Sequence, residues 1–196
     1  LTIEETFALA VQNHKKNNLQ VAENLYKKIL NTNPNSAGVH NNLGMMYKEL
    51  EEYQKAISCY KKAIQIEPNY EQAHHNLGLT FMKLREYQKA ISCFQNLIQL
   101  NPNHASAHSN LGIVLKQLGE YKKAMGCYEK AIQIDPNYAP AYNNLGIIFN
   151  ALEEAQKAIS SYQKAIRIQP NYAPAHNNLG MVFQELGEFE KAISSY

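Results

Sequence analysis

Asn42-Leu43-Gly44 returns as Asn76-Leu77-Gly78, Asn110-Leu111-Gly112, Asn144-Leu145-Gly146 and Asn178-Leu179-Gly180, each copy 34 residues after the last. Pro34, Pro68, Pro102, Pro136 and Pro170 keep the same interval. A fixed period of this size marks a repeat array, in which each copy packs on its neighbours alone. With Ile3 as the start, the repeats run 3–36, 37–70, 71–104, 105–138, 139–172 and 173–196. Five are complete without insertion or deletion, and the sixth is short. The expectation is a single array over residues 1–196.

Each repeat reads as two amphipathic helices. Val39, Leu43, Met46, Tyr47 and Leu50 fall at the spacing of one helical stripe. After a turn near Glu51–Glu52, residues Tyr53, Ala56, Ile57, Tyr60, Ala63, Ile64 and Ile66 form a second stripe, and Pro68 stops it for want of an N–H. Neither helix can bury its stripe alone, so the pairs must stack, and the fold class is an all-α solenoid.

Glycine costs a helix about 1 kcal/mol against alanine, so Gly44 and its copies ask for a packing reason. Ala56 recurs twelve residues after that glycine, and the two are expected to face each other across a close helix pair. The aromatics Tyr26, Tyr60, Phe94, Tyr128, Tyr162 and Tyr196 are expected to fill the gap toward the next repeat. The turn glycine present at Gly119 and Gly187 is replaced by Glu51, Arg85 and Glu153, which predicts mild strain there. Ala155 stands where other repeats carry an aromatic, which predicts a looser fifth repeat.

The composition narrows the partners. A formal net charge of +2 with 18% charged residues is too near neutrality to favour nucleic acid or an anionic membrane. No apolar run approaches the roughly 20 residues a membrane span needs, so a cytoplasmic protein is expected. Cys59, Cys93 and Cys127 occupy one repeat position, and neighbouring copies lie too far apart to share a disulfide or a metal. His40, His74, His108 and His176 form a similar column and read as packing residues, and no metal or other cofactor is expected. Nothing resembles a phosphate loop, a zinc-protease helix or a nucleophile elbow, so no catalytic residue is assigned.

Leu-Gly, then an aromatic or aliphatic residue three positions on (Tyr47, Phe81, Leu115, Phe149, Phe183), then Ala, Tyr or Phe, Ala and Pro at these offsets resembles the tetratricopeptide repeat. The resemblance implies helix-turn-helix units in a right-handed superhelix, with the first helix of each unit lining a concave face. Ala73-His74-His75-Asn76-Leu77 and Ala141-Tyr142-Asn143-Asn144-Leu145 are similar to the repeat domain of O-GlcNAc transferases. In that family the matching asparagines form a ladder that holds a substrate's peptide backbone.

Asn42, Asn76, Asn110, Asn144 and Asn178 are therefore the candidate peptide-binding column. Asparagine is a mediocre helix former, and these copies sit past the position where capping would reward it. A carboxamide can match both the C=O and the N–H of an extended peptide. The competing reading is that the asparagines bridge adjacent first helices. Met45, Leu79, Ile113, Ile147 and Met181 lie three residues on and are expected to form an apolar strip beside the column, or else to pack between repeats. The sequence thus points to a protein-interaction module with a peptide or protein partner in its concave groove, part of a longer protein. The alternative is a scaffold that self-associates through its open C-terminal end, because Tyr196 falls midway through an expected second helix with no polar cap.

Overall fold

A computed structural model describes residues 1–196 as twelve α-helices and no strand. They form six pairs, each matching one repeat. The pairs are α1 (Ile3–Lys15) with α2 (Leu19–Thr32), α3 (Ala37–Glu49) with α4 (Tyr53–Ile66), and α5 (Glu71–Lys83) with α6 (Tyr87–Leu100). Then come α7 (Ala105–Gln117) with α8 (Tyr121–Ile134), α9 (Ala139–Ala151) with α10 (Ala155–Ile168), and α11 (Ala173–Glu185) with α12 (Phe189–Ser195). Packing groups the helices into two compact halves, Leu1–Asn101 and Pro102–Tyr196. Within the N-terminal half, α2 meets α3, α4 meets α5, and the first helices α1, α3 and α5 are neighbours in turn. In the C-terminal half, α8 meets α9, α10 meets α11, and α7, α9 and α11 form the equivalent row.

The glycine copies are explained differently from the sequence expectation. A Cβ built at Gly44 would lie 2.6 Å from the Tyr60 ring, not against Ala56. Gly78 meets Phe94, Gly112 meets Tyr128, Gly146 meets Tyr162 and Gly180 meets Tyr196 in the same way, at 2.5 to 2.8 Å. The aromatic therefore lies across the glycine of its own repeat, and Tyr162 also packs with Leu179, Val182 and Phe183 of the next. Alanines do make the close contacts between pairs: Ala63 of α4 clusters with Ala37 and Ala73, and Ala165 of α10 with Ala139 and Ala175. The fifth repeat is not depleted by Ala155, since Ala158, Ile159, Tyr162 and Ala165 are buried as their counterparts in α4 are.

Each first helix ends in a left-handed residue. Glu51, Arg85 and Glu153 have φ of 59°, 59° and 60°, where Gly119 and Gly187 have 75° and 73°. The following N–H bonds back five residues, Glu52 to the Tyr47 carbonyl at 2.8 Å, which is the Schellman closure. Asn17 takes the same conformation after α1 at φ 61°, so four non-glycine residues bear the cost of left-handed backbone. The next residue, a glutamate in repeats two to six, starts the second helix and pairs with a lysine three residues on, Glu52 with Lys55 and Glu154 with Lys157.

The histidine column closes the other turn. His40, His74, His108 and His176 each donate Nε2–H to the carbonyl of the proline six residues earlier, at 2.8 to 3.0 Å. A carbonyl can only accept, so this bond fixes which ring nitrogen carries hydrogen. The Tyr142 hydroxyl makes the same link to Pro136 at 3.3 Å. No group of three or more His, Cys, Asp or Glu side chains converges as a metal site, and no helix is long and apolar enough to cross a membrane.

Candidate functional site

The asparagine column lies on the first helices, and all five copies are half-buried. They are not chemically equal. Asn76 donates Nδ2–H to Oδ1 of Asn41 at 3.0 Å, and Asn178 to Asn143 at 2.9 Å. Each bond spans 35 residues and ties one first helix to the previous one. The acceptors are 4% exposed, so the bonds are sheltered. Asn42 has no such bond, because Phe7 stands at the position that Asn41 and Asn143 fill for the others. Asn144 has no side-chain bond either, and the residue 35 before it is Ser109, which hydrogen-bonds Tyr138. Asn76 and Asn178 are therefore partly committed to packing, while Asn42 and Asn144 keep whole carboxamides unpaired. The clasped pair retains an unpaired oxygen and a second N–H apiece.

The apolar strip accompanies the column. Met45, Leu79, Ile113 and Ile147 are half-buried, and Met181 is 46% exposed. The Met45 and Met181 sulfurs accept from Asn41 and Asn177 at 3.7 and 3.6 Å. Between α1 and α3, Asn42 and Met45 open onto a cleft of about 490 Å³ with Val11, His14, Tyr26 and Glu49. A smaller cleft of about 350 Å³ lies between α3 and α5 and brings together Leu79, Lys48, Glu49 and Lys83. Asn42, Met45 and Leu79 each line one of these clefts.

It missed what lies beneath. The hydroxyls of Tyr26, Tyr60 and Tyr128 are buried and have no hydrogen-bond partner. A buried, unpaired hydroxyl is costly, so each is an anomaly for a packing residue. Burial, and secondly the nearby Glu49 carboxylate, push Tyr26 up to about 12. Phe94 was the available signal: it fills the same position in the third repeat, so the fold does not need the oxygen. The position above this ring is polar along much of the chain, with His14 edge-on to Tyr26 and Gln184 accepting from Tyr196 at 3.4 Å. Lys116 holds that position in the fourth repeat, without an ion-pair partner, and burial lowers its pKa.

Family models match where this periodicity lies. Tetratricopeptide-repeat models cover residues 71–104 and 105–138, which are the third and fourth repeats, and also 25–58 and 127–160. A TPR-repeat model covers 44–85 and 148–187. No curated protein matches the chain in sequence. Among solved structures, MamA is 29% identical with a TM-score of 0.75, covering 84% of this chain and 96% of its own. YrrB, described as a TPR protein with an unusual peptide-binding site, is 26% identical with a TM-score of 0.69 over 87% of this chain and 88% of its own. PilF of Pseudomonas aeruginosa shares the fold at 19% identity, with a TM-score of 0.84 over 98% of this chain and 88% of its own. The periodicity, the twelve paired helices and these matches agree: the chain belongs to the tetratricopeptide-repeat family.

Proposed function

We propose that this chain is a protein-interaction module that holds an extended segment of a partner protein along the face of its first helices. The observation that carries the reading is the pair of unpaired, half-buried carboxamides of Asn42 and Asn144. A helix-disfavoured residue that makes no internal bond is explained by an external one. Asn76, Asn110 and Asn178 continue the column, and Met45, Leu79, Ile113, Ile147 and Met181 supply apolar contact beside it. YrrB, a relative with a peptide-binding site, supports the same mode of action. The resemblance of the asparagine column to the O-GlcNAc transferase ladder supports backbone recognition, which would make binding tolerant of sequence. The setting is the cytoplasm.

The test is a peptide library screen followed by Asn42→Ala and Asn144→Ala. Binding should weaken across all sequences captured, with melting unchanged. A chain that captures no peptide, or variants that bind as well as the parent, overturn the reading.

A further inference from the structure

The cleft between α1 and α3 holds an unusual set of acceptors. The Tyr26 side chain is fully buried among its neighbours, and its oxygen has no partner. Glu49 accepts from Nε2 of His14 at 2.9 Å, and the His14 side chain is only 11% exposed. A carboxylate held by a sheltered imidazole is a preorganised acceptor whose second oxygen remains available. Asn42 adds an unpaired carboxamide, and Val11 and Met45 give the cleft apolar walls.

We propose that this cleft is a subsite for a basic side chain, an arginine above all, carried by the peptide that the proposed function places along these helices. A guanidinium presents five N–H donors to the Glu49 carboxylate and the Asn42 oxygen, and its stem lies on Val11 and Met45. An acidic tip would meet Glu49 instead. The cleft's free cation, Lys15, is exposed, so water screens it. The acid–imidazole pair is confined to this cleft; in the sixth repeat Glu185 holds the position of Glu49 and accepts from Asn150 at 3.4 Å, not from a histidine. The position of Glu49 holds Lys83, Gln117 and Ala151 in the next three repeats, and the position of His14 holds Lys48, Met82 and Lys116.

The peptide is inferred from the proposed function, but the pocket is testable without it. The probe is a single capped residue, N-acetyl-arginine amide, titrated while the Met45 methyl and Tyr26 ring signals are followed by NMR. Saturable shifts are expected, with N-acetyl-glutamine amide and N-acetyl-glutamate amide each binding about tenfold more weakly or worse. Glu49→Gln should weaken the arginine probe by a similar factor. Tyr26→Phe is the control: the hydroxyl is enclosed, so the affinity of the arginine probe should stay unchanged. Both variants are compatible with the fold, since Gln117 and Phe94 already occupy those positions in other repeats. Equal shifts from the glutamate probe, unchanged affinity in Glu49→Gln, or no saturable shift would each overturn the assignment. Failure of the peptide library, by contrast, bears on the proposed function alone.

Discussion

Gly44 and Tyr60 are bound by volume: a single methyl on the glycine would sit 2.6 Å from a ring carbon of a tyrosine that is fully buried. The ring cannot retreat, so Gly44→Ala should overpack the pair. Overpacking costs roughly 1–3 kcal/mol, and the gain in helix propensity returns only about 1. Gly126 of α8 is the control, because a Cβ there meets nothing within 4 Å. Thermal denaturation should show Gly44→Ala, Gly112→Ala and Gly146→Ala lowering Tm and Gly126→Ala raising it.

The unpaired hydroxyls of Tyr60 and Tyr128 predict the opposite sign for a core deletion. Tyr60→Phe and Tyr128→Phe each remove a buried polar atom that has no partner. Stability should rise by about 1 kcal/mol per site, read from urea midpoints at unchanged slope. A loss would show that these oxygens are satisfied in solution.

Asn42 and Asn76 should separate cleanly by stability. Asn76→Ala and Asn178→Ala break an inter-helix bond and strand the oxygens of Asn41 and Asn143, which are 4% exposed. The expected cost is about 1–3 kcal/mol. Asn42→Ala and Asn144→Ala break no internal bond and should be neutral or slightly stabilising through helix propensity. Chemical denaturation of the four variants checks the division.

Arg85 and Glu153 hold left-handed backbone at φ 59° and 60°. Replacing either by glycine removes a penalty of about 1–2 kcal/mol and adds the entropy cost of a freer unfolded chain. A net gain of roughly 0.5–1 kcal/mol is expected at each position. Gly119→Ala, at φ 75°, should lose stability by a comparable amount, and Tm measurements decide both.

Burial pushes the thiols of Cys59, Cys93 and Cys127 from their ordinary 9 up to about 11. The thiolate is the reactive form, so alkylation by iodoacetamide at pH 8 should be about a hundredfold slower in the folded chain than in urea. The folded chain holds these protons more tightly than the unfolded one. Their stabilising contribution is therefore complete below pH 9 and lost as pH rises through 11, and Tm should fall across that window.

Much of the fold was legible because one period governs it. Helix positions, the proline stops and the left-handed turn residues all follow from local pattern repeated in register. The histidine column was read as packing, and its link to the proline carbonyl six residues back depends on how the turn folds around that side chain. The glycine and aromatic columns were each conspicuous, yet their mutual contact lies sixteen residues apart across two antiparallel helices, and a one-dimensional stripe does not show which side chains meet.

The sequence by itself determined that this is a stack of helical pairs with a polar column on each first helix, because a 34-residue period and amphipathic spacing leave no other way to bury the stripes. Only the tertiary structure decided what each asparagine does. Whether a carboxamide is clasped or left open depends on the residue 35 positions earlier, brought beside it by stacking: asparagine for Asn76 and Asn178, phenylalanine for Asn42. Identical residues at identical repeat positions therefore carry different chemistry, because hydrogen bonds are settled by the neighbour in space rather than by the motif.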